Sequence, residues 1–444
     1  MVVSAAPGAA PLPLDGVLFA VVVILVCCKS VGALARRLGQ PVVIGEIAAG
    51  LILGPSVLGA WWPEAMDALF PPEVLAPLHV LSQLGVVLFV YLAGLEVDLR
   101  LLRGKGRLTS YVSVTSIVIP VLLGVGFGVL THERFGGGDT GPVPYALFLG
   151  VAMGVTALPV LARILEDSPL RGTVVATVAL TCATVGDVVA WSLLAVVAGM
   201  VAASAPSAAL TVALTVAFTA ALVFVVRPAL ARMLAEPRFG ATTRTGVLLL
   251  GALASAAVTE WIGVHAIFGA FLFGLAVPRD RTVVQESAER LGTVAGALLL
   301  PLFFAYSGLR TDLGSLAGSG AVWLWCLVAI AVAVAGKLGG TALGARAAGS
   351  GWRDSLRLGA LMNCRGMTEL VVLNVGLDLG VLSTEMFTAL VVMAFVCTAM
   401  TWPVAGRLGR GRDGTLAAPP TRRKGPDTSA ALGGVPHQPT RKEA

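Results

Sequence analysis

Long apolar runs, rather than alternating or amphipathic ones, set the pattern of this chain. Thirteen can be marked, at 12–33, 41–57, 79–95, 109–130, 144–164, 172–200, 208–228, 244–260, 263–277, 292–309, 319–342, 355–377 and 384–408. Most approach the roughly 20 residues that a helix needs to cross the hydrocarbon core. The fold class expected is therefore an all-α polytopic membrane protein with about 13 transmembrane helices. The run 263–277 is short, and burial by neighbours competes there with independent spanning. The first run lacks a basic leader and a clear cleavage site, which favours a retained helix over a signal peptide. Composition agrees: 57% of residues are hydrophobic and 13% charged, against about 25% charged in soluble domains, and mean hydropathy is +0.89.

The net charge of +6 matters through its placement and does not mark a nucleic-acid binder. One set of alternate loops carries Arg36, Arg37, Arg100, Arg103, Lys105, Arg107, Arg227, Arg232, Arg346 and Arg353, whereas the opposite set carries Arg134 and Arg310. The basic set belongs in the cytoplasm, which puts the N-terminus outside, the C-terminus inside and the number of crossings odd. The stretch 409–444 is rich in Gly, Pro, Thr and basic residues with no apolar period. It is expected to be a disordered cytoplasmic tail, too short for a regulatory nucleotide-binding domain. The six cysteines lie in apolar segments without metal-like spacing. No Walker motif, dinucleotide fingerprint or nucleophile and base arrangement is present, so neither an enzyme, an ATP-driven pump nor a resident cofactor is expected.

The chain also echoes itself. The third run ends VLFVYLAGLEVDL (87–99) and the tenth ends LFFAYSGLRTDL (302–313); Gly45 and Gly50 bracket the second run as Gly269 and Gly274 bracket the ninth. An offset of seven segments places the copies in opposite orientation, the arrangement of inverted-repeat transporters. If segments one to six repeat as eight to thirteen, segment five pairs with segment twelve. Segment five holds GVTALPVLARI (154–164) and segment twelve holds NCRGMTEL (363–370). Gly lowers the cost of unwinding and Pro removes a backbone donor, so two broken crossing helices are expected near the midplane, with a plain kink as the alternative.

Few charges lie deep in the apolar runs. Asp187 is the lone acid of 174–200, and an ionisable group there is by default a functional-site hypothesis. Lys337, among small residues in 328–345, should point into the protein, either balancing an acid such as Asp187 or contacting backbone. Arg365 and Glu369 are four residues apart and are read as an internal staple of the broken helix. Arg163 is read as a comparable anchor of segment five. Glu46 is either a helix-packing residue at a domain boundary or a secondary proton-accessible group.

With GQPVVIGEIAAGLILGPSVLG (39–59), GVTALPVLARILED (154–167), GDVVAW (186–191), GVHAIFGAFLFGL (263–275), PLFFAYSGLRTDL (301–313) and MNCRGMTELVVLNVGLDLGVLS (362–383), the sequence resembles the monovalent cation:proton antiporter family. The resemblance covers about Leu14 to Pro403 and points to the branch holding bacterial sodium/proton antiporters and plant-like cation/H+ exchangers. It implies a secondary antiporter in the cell membrane, among membrane lipids, that exchanges Na+ or K+ for H+. By it, Asp187 matches the ion-binding and proton-carrying aspartate, Thr156 the threonine at the unwound crossing helix, and Lys337 the membrane-buried lysine. It further implies a homodimer joined through about 12–95 and 244–309, and an ion-carrying core of about 109–200 and 319–408, within a transmembrane domain of 1–408. Two positions depart from the family pattern: Gly186 stands where relatives usually have Asp or Asn, and Gly154 where many have Ser. A cation channel and a sodium-coupled organic-solute symporter are the competing functions, with a non-transporting scaffold behind them.

Overall fold

The computed structural model describes residues 14–96, 106–137, 140–166, 170, 173–202, 205–236, 238–278, 282–314 and 320–409. Its helices, numbered in chain order, are α1 (Leu14–Arg37), α2 (Val42–Leu53), α3 (Pro72–Glu96), α4 (Arg107–Phe135), α5 (Pro142–Gly154), α6 (Leu158–Glu166), α7 (Val174–Ala202), α8 (205–235), α9 (Ala241–Ile262), α10 (Ala266–Ala276), α11 (282–309), α12 (320–347), α13 (Trp352–Met362), α14 (Met367–Asp378) and α15 (Thr384–Gly409). Two short helices, Leu58–Trp61 and Pro63–Leu69, fill the loop after α2. Among the described residues eleven stretches are long and apolar enough to cross a membrane. The other two expected segments are the short α10 and the interrupted pair α13–α14. The protein is an all-α polytopic membrane protein.

The helix ends follow the apolar runs to within about five residues except at the third, seventh and tenth, the seventh running on to residue 235. The third begins at Pro72 rather than 79, and the tenth extends back to Thr282. That first stretch of α11, TVVQESAERLGTV, is polar and amphipathic, so a hydropathy window tuned to bilayer-spanning segments passes over it. The tail, past Gly409, lies outside the described residues.

Three π-helical turns, Leu222–Val226, Ala295–Leu299 and Ala335–Gly339, interrupt α8, α11 and α12. The first two sit directly upstream of Pro228 and Pro301, whose missing N–H and bulky ring disturb the ladder one turn back. The third has no proline; it holds Gly336 and Gly339 on either side of Lys337 and is followed by Gly340.

The sequence echo reappears as paired close contacts. A Cβ on Gly308 of α11 would lie 2.5 Å from Gly50 Cα of α2, and one on Gly94 of α3 would lie 3.1 Å from Gly274 Cα of α10. Under the repeat Gly50 corresponds to Gly274 and Gly308 to Gly94, so each contact is the counterpart of the other. A second correspondence seats Gly45 on α1 at Gly32 and Gly269 on α9 at Ser255. Small residues at such crossings let backbones approach where hydrocarbon supplies no hydrophobic drive between helices. Gly308→Val is expected to lower the unfolding temperature of the detergent-solubilised protein, by the equivalent of about 1–3 kcal/mol of overpacking. Gly126→Val, where a Cβ meets nothing within 4 Å, should leave it unchanged; equal effects at both positions would contradict the paired contacts.

Candidate ion-binding site

The chain breaks where its sequence weakens the helix. Segment five ends its first half at Gly154, runs extended through Val155 and resumes at Leu158, with Pro159 in the first turn of α6. Segment twelve unwinds between Met362 and Met367, with Gly366 at φ 155° and ψ −122°, a conformation that side-chain-bearing residues rarely adopt.

The two breaks satisfy one another. Thr156 Oγ1 donates to Met362 O at 3.0 Å, and Ala157 N donates to Cys364 O at 3.0 Å. A hydroxyl that donates keeps acceptor lone pairs, so Thr156 retains oxygen for a further ligand. Arg365 lies inside the second break yet serves the first. Its Nη1 donates to Ala152 O and its Nη2 to Met153 O, each at 2.9 Å; both carbonyls belong to the last turn of α5, which lacks continuing N–H partners. The same Nη1 meets both Glu369 carboxylate oxygens at 2.8 Å. Glu369 stands in the first turn of α14, so the cation caps a helix C-terminus and the anion a helix N-terminus, the favourable dipole placement for each. Both side chains are 0% exposed. The pair therefore staples segment twelve internally, and the same guanidinium also ties it to the end of α5. Thr398 of α15 fixes the backbone, accepting from Arg365 N at 3.1 Å and donating to Arg365 O at 2.6 Å.

Lys337 is fully buried and donates from Nζ to Ser116 O at 3.0 Å. That acceptor has a covalent origin: Pro120, inside α4, has no N–H to offer the carbonyl four residues earlier. Gly336 lets the π turn of α12 reach it, since a Cβ there would lie 2.9 Å from Pro120 Cα. The contact to backbone, one of the two open to Lys337 in the sequence, is made.

Asp187 sits midway along α7, 3% exposed, on a helix packed against α4, α5, α6 and α13. Thr156 is also buried. Glu46 lies on α2 in the wall of a cavity of about 280 Å³, with Lys29 and Arg36 of α1 on the same cavity and Pro159 of α6 and Met367 of α14 across it. These last two stand within one turn of the two breaks. The side chain of Arg163 lies outside the described residues. Among the described residues no group of three or more His, Cys, Asp or Glu is arranged to hold a metal ion.

The two glycines that depart from the family pattern differ physically. A Cβ on Gly186 would meet nothing within 4 Å, whereas one on Gly154 would lie 2.7 Å from Val121 Cγ2. Gly186→Asn is thus expected to fold with an unfolding temperature near that of the parent. Gly154→Ser should lose the equivalent of about 1–3 kcal/mol; thermal unfolding of the two variants side by side checks the contrast.

Sequence reasoning missed Ser116, Pro120 and Thr398. A proline four residues beyond a serine in an apolar helix was the available signal for the first two; Thr398 offered none. With this geometry in place, comparison with known proteins decides the family. The family described as sodium/hydrogen exchanger, transmembrane, matches residues 21–406.

The chain belongs to the sodium/hydrogen exchanger family.

Within that family, this exchanger is 38% identical over 394 residues to the Na(+)/H(+) antiporter NhaS4 of Synechocystis sp., covering 87% of this chain and 96% of that protein. It is 36% identical over 388 residues to Cation/H(+) antiporter 17 of Arabidopsis thaliana, covering 86% of this chain but 47% of the plant protein. The sodium proton antiporter MjNhaP1 from Methanocaldococcus jannaschii shares the fold with a TM-score of 0.63 at 14% identity, over 89% of this chain and 98% of that one. The exchanger is accordingly a multi-pass membrane protein of the secondary-transport class, and not an enzyme.

Proposed function

We propose that the protein exchanges Na+ or K+ for protons across the cell membrane, with Asp187 binding cation and proton in turn. One observation carries this: a lone carboxylate buried mid-length in an apolar spanning helix, packed against both halves of a broken crossing helix. An acid in that setting is retained for an ion or a proton. The protonated acid has no charge with which to hold a metal ion; the carboxylate has. Thr156, through its remaining lone pairs, and backbone carbonyls at the breaks supply neutral oxygens suited to a monovalent cation. Lys337, anchored on Ser116 O, compensates the carboxylate's charge while no cation is bound.

Access alternates when the core of about 109–200 and 319–408 moves against helices of about 12–95 and 244–309, which also join two copies in a homodimer. The paired Gly contacts within the second set support its behaving as one body. Arg365 and Glu369 keep the two broken helices moving together. Glu46, on the cavity between the sets, is a group that a proton or cation meets on the way in.

The test is cation-induced pH change in proteoliposomes given Na+, K+ or Li+ with the membrane potential clamped. Coupled, saturable proton movement is expected. Conductance without coupled proton movement would mark a channel, and cation flux that requires an organic solute would mark a symporter.

A further inference from the structure

The boundary between these two helix sets differs at its two ends. At the cytoplasmic end the cavity beside Lys29 and Arg36 separates α1 and α2 from α6 and α14. At the outer end the same boundary is tied by side chains. Arg310, just past α11, donates from Nη1 to Asp378 Oδ1 at 2.6 Å and to Asn374 Oδ1 at 3.3 Å. Asn374 Nδ2 donates to Ser307 Oγ at 2.8 Å, and Gln83 Nε2 of α3 donates to Asp378 Oδ2 at 3.1 Å. Gln83, Ser307 and Arg310 belong to one set, Asn374 and Asp378 to the other. The space lined by Ser82, Val86, Phe303 and Asn374 is about 10 Å³, barely room for one water.

The two ion pairs of α14 thus contrast. Arg365 and Glu369 are 0% exposed, so parting them strands buried charge. The Arg310 and Asp378 side chains are 23% and 22% exposed, so water replaces each partner when the pair opens, at the small cost of a near-surface ion pair. One pair suits a permanent staple and the other a contact that is made and broken. Arg310 is also one of two basic residues that the sequence places on the outer side.

We propose that Arg310 and Asp378, with Gln83 and Asn374, form an outer latch: closed in the inward-facing arrangement seen here, and broken each time α14 travels to expose the ion site outward. The latch rests on the alternating-access part of the function proposed above.

Labelling with a membrane-impermeant maleimide tests it in a Cys27→Ser background, with Ser82→Cys reporting the outer side and Val43→Cys the inner cavity. The closed latch predicts rapid labelling of Val43→Cys in inside-out vesicles and slow labelling of Ser82→Cys on intact cells. Asp378→Asn or Arg310→Gln should speed the outer reporter about fivefold or more and slow the inner one. The exchanged pair Arg310→Asp with Asp378→Arg should restore both rates. Unchanged labelling in the single variants, or faster labelling on both sides at once, which marks mere loosening, would overturn the latch. The same reporters in Asp187→Asn separate the two ideas. A labelling shift that persists without any cation-coupled flux in the parent protein supports the latch while refuting exchange; coupled flux with no labelling shift refutes the latch alone.

Discussion

Asp187→Asn is expected to reduce cation-coupled proton movement in proteoliposomes to the level of empty liposomes, with the folded protein still recovered in normal yield. The amide is nearly isosteric with the acid and can be buried without charge, so packing around α7 should survive. What it lacks is a proton to exchange and a negative charge to hold a cation. The surroundings do not replace either. Glu369 is held on both oxygens by Arg365, which leaves it committed to the staple, and Glu46 lies on the cavity beside Lys29 and Arg36. Residual coupled flux in this variant would show that another acid carries the cycle.

Arg365→Met is expected to give the largest loss of stability of any single substitution considered, about 3–5 kcal/mol, the range for breaking a buried pair by removing one partner. It strands the Glu369 carboxylate in the interior and frees the carbonyls of Ala152 and Met153, which receive the Arg365 guanidinium now. Arg365→Met with Glu369→Leu should recover part of the loss, since replacing a whole buried pair by apolar groups is often neutral. Recovery should stop short of complete, because the α5 carbonyls remain without a donor. Unfolding temperatures of the purified parent, single and double variants measure all three. A single variant as stable as the parent would contradict the bridging role.

Much of the fold was legible because a bilayer leaves few ways to satisfy a backbone: long apolar runs must be helices. The repeat was legible because inverted copies keep the same glycines at the same crossings, as Gly50 with Gly308 and Gly274 with Gly94 show. The breaks were legible through Gly154, Pro159 and Gly366. Three features were hidden for different reasons. The start of α11 is polar, and polarity at a membrane surface looks like loop. The acceptor for Lys337 is a backbone carbonyl 221 residues away, which residue types do not reveal. Asp378 carried no signal in the sequence, because its partners Arg310 and Gln83 come from elements that only the tertiary fold brings together. Gly186 showed that an acid or amide was missing; only the structure shows that the position has room for one.

The central claim, one carboxylate serving two ligands, is tested most directly by counting protons as cations bind. Purified protein in weak buffer with a pH indicator, titrated with Na+ or K+, should release about one proton per cation bound where Asp187 starts protonated. The cation dissociation constant should then weaken by up to about tenfold for each unit fall in pH, since the two ligands oppose each other reciprocally. Both effects should vanish in Asp187→Asn. Cation binding without proton release in the parent, or release that persists in Asp187→Asn, would contradict it.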